Sequence, residues 1–167
     1  MVRLDNKFFI DAPEIVAPKL LGKQIVVGDK KATIIEVEAY GGQDDAASHA
    51  FKKTKRSAIM YDNPGLVYMY LIYGIHCCLN FVVAPNGVAG AILIRSIILD
   101  GDVVNGPGRT AKALGLDLSY KGVDITTSDH FAVYDVGYES EFHISERIGI
   151  SKAKEKMWRF YGPDLYK

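Results

Sequence analysis

Glu36, Glu38 and Tyr40 stand at alternate positions in an otherwise largely apolar run, Ala32 to Tyr40. In an extended strand side chains alternate between faces, so these three share one face and Ile35, Val37 and Ala39 take the other. A carboxylate on such a strand is partly dehydrated. Dehydration raises its affinity for a proton, and carboxylates so perturbed gather at functional sites. Two glutamates that simply face solvent would show the same spacing. A second charge, Arg95, sits inside the run Ala91 to Ile98. A guanidinium in such a strand needs an anionic or carbonyl partner. Glu38 is the contact to look for, and a purely structural ion pair is the alternative.

The segment Tyr68-Met69-Tyr70-Leu71-Ile72-Tyr73-Gly74-Ile75 holds three tyrosines. Tyr68 and Tyr70 share one strand face, and Tyr73 falls near a hairpin tip. Core packing explains an aromatic at an exposed tip poorly, whereas a wedge between base pairs explains it well. Tyr70 could be a platform on which a base stacks. A tyrosine-rich strand packed on the core is the plainer reading. His49 follows Asp44 and Asp45, and His76 precedes Cys77 and Cys78, but neither group has a recognised metal-ligand spacing. No metal and no cofactor are expected.

Several elements must position these residues. Pro13 and Glu14 to Leu21, closed by Gly22 and opened at Asp11-Ala12, read as a helix bent by Pro18. Gln24–Val27 and Ala32–Tyr40 read as strands joined across Gly28-Asp29-Lys30. Gly41 to Lys55 reads as a loop, and Ser57 to Tyr61 as a short helical turn. Leu66 to Val83 carries the strongest strand signal, turning at Tyr73-Gly74. Ala91–Ile98 is a buried strand. Asn105-Gly106-Pro107 opens a helix that ends at Leu114-Gly115. Phe131–Val136 and His143–Arg147 read as late strands. Runs of strands with a few separate helices predict an α+β fold. The expected organisation is one compact domain over residues 1–167, with a curved antiparallel sheet, a protruding hairpin and peripheral helices.

The 167 residues suffice for one sizeable core, and 49% hydrophobic content argues against disorder. No apolar run reaches the roughly 18–20 residues of a membrane span, and no signal peptide is recognisable. A cytoplasmic, nucleoid-associated or nuclear protein is expected. Adjacent Cys77 and Cys78 give no disulfide framework and read as packing residues. The 20 basic and 20 acidic residues balance, so a nucleic-acid ligand would require basic residues gathered on one face. Two runs could supply them: Lys52, Lys53, Lys55 and Arg56, or Arg147, Lys152, Lys154, Lys156 and Arg159. Solvated charged surface is the alternative for each.

Taken in order, Glu36-Val37-Glu38-Ala39-Tyr40, Asp44 to His49, Leu66 to Ile75 with Asn80, Ile92 to Arg95, Gly106-Pro107, Arg147 to Ile150 and Arg159 to Tyr161 resemble the alkyladenine (3-methyladenine) DNA glycosylase family. The resemblance runs from about Phe8 to Tyr161. It implies that Glu38 activates water, with Arg95 and the backbone carbonyl of Ile148 positioning that water. Tyr40, His49 and Tyr70 would hold a flipped base, Tyr73 would fill the gap in the duplex, and Asn80 would crowd the exocyclic amino group of guanine. The implied substrate is double-stranded DNA containing damaged purines, and a monomer is the default expectation. The chain is shorter than many members. Thr54-Lys55-Arg56-Ser57 stands where the family usually reads Thr-Pro-Arg-Asn.

The chemistry is consistent with one carboxylate. Breaking an N-glycosidic bond develops positive charge on the sugar, which a carboxylate stabilises while accepting the proton of water. An alkylated purine is already cationic and leaves without an acid. No lysine or terminal proline is evidently placed for Schiff-base chemistry, so base removal without strand cleavage is expected. The competing readings are a non-catalytic lesion-binding module, which has no need of Glu38, and a hydrolase of free nucleosides, which has no need of Tyr73. The resemblance also carries a geometric expectation, since it puts Tyr70 and Asn80 in one pocket. A two-residue hairpin loop would put Tyr70 and Asn80 on opposite faces, so a shared pocket requires an odd loop or a bulge.

Overall fold

In the computed structural model, which describes residues 1–163, ten strands form one antiparallel sheet. In chain order the strands are β1 (Val2–Arg3), β2 (Gln24–Val27), β3 (Lys30–Tyr40), β4 (Val67–Ile72), β5 (His76–Val82), β6 (Ala91–Leu99), β7 (Asp102–Asn105), β8 (Phe131–Asp135), β9 (His143–Ser145) and β10 (Arg159–Tyr161). The helices are α1 (Asn6–Phe9), α2 (Pro13–Leu20) and α3 (Pro107–Leu114). The sheet runs β1-β8-β2-β3-β6-β5-β4, with β10 added to β3, β9 to β10 and β7 to β6. The sheet curls into a half-barrel, and the fold is α+β as expected.

Strand alternation explains the two faces. Val37 and Ala39 of β3, Val67 and Met69 of β4, Leu79 and Phe81 of β5, and Ile92 and Ile94 of β6 enter the main core, with Leu20 of α2 and Leu114 of α3. The intervening residues, including Glu38, Tyr70, Asn80 and Arg95, line a pocket on the other side. A smaller apolar cluster of Ala50, Met60, Tyr68, Val82, Ala89 and Ala91 lies on that side too.

Strict alternation fails at one place. The β3–β6 register is irregular around Glu36, between the pairs Ile34↔Ile97 and Val37↔Ile94. Ile34, and not Ile35, therefore joins Val37 and Ala39 in the main core. Both glutamates are buried, so neither is a solvent-facing strand residue.

Other boundaries differ from the sequence reading for local reasons. Lys30 pairs with Val27, so the turn shortens to Gly28-Asp29 and β3 starts two residues early. Asp11 does not cap α2. It pairs with Lys19 at 3.6 Å, and Pro13 stands in the first turn after Ala12. Arg147 lies beyond β9, which ends at Ser145. β1, α1, β7 and β10 are too short to carry a readable period.

The hairpin meets the geometric expectation. Tyr70 pairs with Cys78, Tyr68 with Asn80 and Ile72 with His76, leaving the three-residue loop Tyr73-Gly74-Ile75. An odd loop puts Tyr68, Tyr70 and Asn80 on one face. Tyr73 (φ 53°) and Gly74 (φ 70°) are both left-handed. That conformation costs a non-glycine residue roughly 1 kcal/mol. Strain held at a tip whose tyrosine is 90% exposed suggests a functional position.

Candidate active site

β3, β4, β5 and β6 frame a pocket of about 360 Å³ beneath the hairpin, closed on one side by residues 148–150. That volume lies within the usual range for small-molecule sites. Every residue to which the resemblance gives a role reaches it: Glu38, Tyr40, His49, Tyr70, Tyr73, Asn80 and Arg95 all line the pocket, as does Ile148, whereas Glu36 does not. Pro107, from the first turn of α3, lines it as well. His76 is exposed and does not line it.

Glu38 is fully buried and its carboxylate is held on both oxygens. The backbone N–H of Ile148 donates to Oε1 at 2.6 Å, and the hydroxyl of Tyr40 donates to Oε2 at 2.8 Å. Arg95 Nη1 lies 3.6 Å from Oε2, so the sought Glu38–Arg95 contact is present. For Ile148 the bonded group is the amide, where the resemblance implied a role for the carbonyl. Burial pushes the Glu38 pKa up, and Arg95, the Ile148 amide and the Tyr40 hydroxyl oppose it without cancelling it. Burial and the neighbouring Glu38 push the Tyr40 hydroxyl well above its ordinary value, so it remains a proton donor.

Three aromatic rings make one wall. His49 and Tyr70 meet edge to face at 4.5 Å, and Tyr68 and Tyr70 at 5.4 Å. The Tyr68 hydroxyl lies 3.0 Å from His49 Nδ1 and fixes the imidazole plane. His49 is open to solvent on its outer side. Burial of the rest of the ring, aided by Arg56, holds its pKa below the usual value and favours neutral imidazole. Asn80 donates to the backbone carbonyls of Tyr68 (3.2 Å) and Cys78 (3.4 Å), which fixes its amide plane in the pocket floor. The Cys78 thiol is pushed up to about 11, chiefly by burial, and is an inert packing group.

One support of the pocket was not legible in the sequence. Arg147 and Asp45 form a two-bond ion pair at 2.6 and 2.8 Å, both side chains fully enclosed. Arg147 also donates to the carbonyls of Ala39 and Ala153, and its guanidinium lies 4.7 Å over the Tyr40 ring. Asp45 accepts from the amides of Gly41 and Ala47, organising the loop that carries His49. The pair joins residues 102 apart, and no local pattern announces it.

The second basic run is corrected by this geometry. Arg147 is committed to Asp45, and Arg159 is buried with its Nε 2.6 Å from Glu36. Within that run only Lys152 and Lys154 are exposed, with Lys156 half-buried. In the first run Lys52, Lys53, Lys55 and Arg56 are all exposed, and Arg56 lies 5.3 Å over the Tyr70 ring at the pocket mouth. Ser57 makes reciprocal bonds with Thr54, side chain to amide in each direction. These bonds close the turn that departs from the family's usual residues.

A profile of the family described as Methylpurine-DNA glycosylase (MPG) matches residues 7–165. The chain belongs to that family. Relatives named "Putative 3-methyladenine DNA glycosylase" are 44% identical in Ehrlichia ruminantium (strain Welgevonden), 40% in Ehrlichia chaffeensis and 38% in Rickettsia felis. These alignments cover 97%, 97% and 99% of this chain and 90%, 94% and 96% of the relatives. The glycosylase fold thus comes with a pocket whose carboxylate, aromatic wall and hairpin tip lie together. Among the described residues no helix is long and apolar enough to cross a membrane, and no cluster of His, Cys, Asp or Glu is arranged to hold a metal ion.

Proposed function

We propose that this glycosylase extracts alkylated purines, such as 3-methyladenine, from duplex DNA and hydrolyses their N-glycosidic bond, using Glu38 as general base and leaving the strand intact. The observation that carries the reading is the dehydrated Glu38 carboxylate, held by one amide and one hydroxyl at the floor of an aromatic pocket. Residues 1–167 would act as a single glycosylase domain.

The extruded purine enters between Tyr40 on one side and His49 and Tyr70 on the other. Stacking of this kind recovers roughly 1–3 kcal/mol per base and offsets part of the few kcal/mol spent on unstacking. A cationic alkylated purine gains more from aromatic faces than a neutral one. Hypoxanthine, being neutral, is a slower substrate. Tyr73, exposed at the hairpin tip, fills the vacated stack. Asn80, fixed by two backbone carbonyls, cannot turn aside for the exocyclic amino group of guanine. Water held between Glu38, Arg95 and the backbone of Ile148 attacks C1′. The C1′–N bond pair leaves with the cationic purine, which departs neutral, and the water proton passes to Glu38. The products are a free base and an abasic sugar.

The test is release of 3-methyladenine from labelled methylated duplex DNA, with the strand sized before and after alkali. Free base with strand breaks only after alkali is the expected result. No release would favour a lesion-binding module, and breaks before alkali would overturn the monofunctional reading.

The duplex is gripped through the exposed basic run beside the pocket mouth. Affinity for DNA should fall with salt, and replacing Lys53 and Lys55 by Ala should reduce the slope of log K against log salt by about 2. Equal slopes for variant and parent, measured by fluorescence anisotropy, would remove this run from the interface.

A further inference from the structure

Glu36 is as buried as Glu38, yet the reaction described above does not use it. Its Oε1 accepts from two guanidinium groups, Arg95 Nε at 3.1 Å and Arg159 Nε at 2.6 Å. Its Oε2 accepts from the hydroxyl of Ser96 at 2.5 Å, and that hydroxyl lies 3.0 Å from Asn105 Oδ1. Arg95 therefore bridges two carboxylates, bound closely through Nε to Glu36 and reaching Glu38 through Nη1 at 3.6 Å. The irregular β3–β6 register lies at this point, so the strands give up regular pairing where Glu36 meets Arg95 and Ser96.

We propose that Glu36 is a positioning residue for the catalytic carboxylate: by holding Arg95 through Nε on an oxygen that also accepts from Arg159, it sets how close the Arg95 guanidinium comes to Glu38 and how much of its charge Glu38 feels. The proposal rests on the reading of Glu38 as the base. A purely structural need does not call for this arrangement, because apolar residues of similar volume commonly replace buried ion clusters without loss of stability. The arrangement has a catalytic use. If Arg95 settled fully on Glu38, the carboxylate would be a weaker base for water, and if it withdrew, the group that orients that water would be lost.

Glu38 is faced by Glu36 and Tyr40 on its own strand, Arg95 from β6, Arg147 and the Ile148 amide from the segment after β9, Arg159 from the opposing position of β10, and Tyr70 from β4. Glu36 is the one like charge among the groups that shift Glu38, and it acts in the same direction as burial.

The experiment is the pH profile of single-turnover 3-methyladenine release from methylated duplex DNA, for the parent and three variants, each checked by thermal melting. Glu36→Gln keeps the shape and an acceptor oxygen but removes the negative charge. Its acid limb should move to lower pH, and its plateau should fall about 3- to 10-fold as Arg95 tightens on a less basic Glu38. Arg159→Gln removes a positive charge from the other side of Glu36, and its acid limb should move to higher pH. Opposite movements are the signature, because a shared packing defect cannot produce them. If Glu36→Gln fails to fold, the test becomes the direction for Arg159→Gln: an acid limb moved to higher pH supports the proposal, and one unmoved or moved to lower pH overturns it. Folded variants with unmoved limbs, or limbs moving the same way, overturn the proposal. Glu38→Gln separates the two levels. If it stays active, the reading of the base itself fails. If it is inert while the Glu36→Gln limb is unmoved, only the positioning role fails.

Discussion

With Glu38 as the proposed base, Glu38→Gln is expected to lower the single-turnover rate of 3-methyladenine release by about a thousandfold or more, a loss of roughly 4 kcal/mol of transition-state stabilisation. Two contributions disappear together. The amide cannot take the proton of the attacking water, and it offers no negative charge to the cationic sugar that develops as the base departs. The substitution is nearly isosteric. The carboxamide oxygen can still accept from the Ile148 amide, and its NH₂ can donate to the Tyr40 hydroxyl. Affinity for methylated duplex should therefore stay within a few-fold of the parent, because groups acting only in the transition state change rate and not binding. Removing a dehydrated carboxylate also relieves a desolvation cost, so the variant should melt no earlier than the parent. Rate, affinity and melting temperature measured on one preparation check the three parts. A variant that binds and melts normally yet releases base at the parental rate would transfer the chemistry to another group.

Arg147→Met is expected to cost the fold about 3–5 kcal/mol, since it leaves Asp45 as an unpaired charge in the interior. That is a large share of the roughly 5–15 kcal/mol by which a domain of this kind is stable. Adding Asp45→Asn should recover a substantial part, because Asn removes the buried charge while keeping an oxygen for the Gly41 or Ala47 amide. Equal losses in the single and double variants would mean that the pair is not coupled. The pH dependence has a definite sign. Burial alone would raise the Asp45 pKa, but the bonds from Arg147 and from the Gly41 and Ala47 amides outweigh it and hold the pKa below the ordinary value. The pair's contribution is thus complete above the unfolded-state pKa of Asp and is lost as pH falls through the lower folded-state value. Melting temperature followed downward from neutral pH should show this loss in the parent and not in the double variant. Activity should fall as well, because Arg147 backs the Tyr40 ring and precedes the amide that holds Glu38.

The sequence exposed those parts of the site that local periodicity governs. Glu38 and Tyr40 fall two apart on a strand, Tyr68 and Tyr70 do the same, and Arg95 stands out because its neighbours are apolar. The positive-φ hairpin tip is announced by Gly74 beside an unexplained Tyr73. The same periodicity misled at Ile35, because the irregular register near Glu36 is set by the partner strand and by the arginines that Glu36 must satisfy. The second basic run misled at Arg147 and Arg159. A basic run in sequence says nothing about direction, and these two turn inward to carboxylates about 100 and 120 residues away.

By itself, the sequence determined the strand-rich α+β character, the face shared by Tyr68 and Tyr70 and the identity of the groups able to do chemistry. These depend on neighbours within a few residues, where backbone geometry fixes which side chains share a face. Only the tertiary structure decided which ends of Arg95 meet which glutamate, which atom of Ile148 holds Glu38, and that an enclosed Arg147–Asp45 pair supports the pocket. Such contacts join distant segments, and burial decides their outcome. A charge withdrawn from water must find its counter-charge wherever the fold brings one, and sequence spacing does not record that distance.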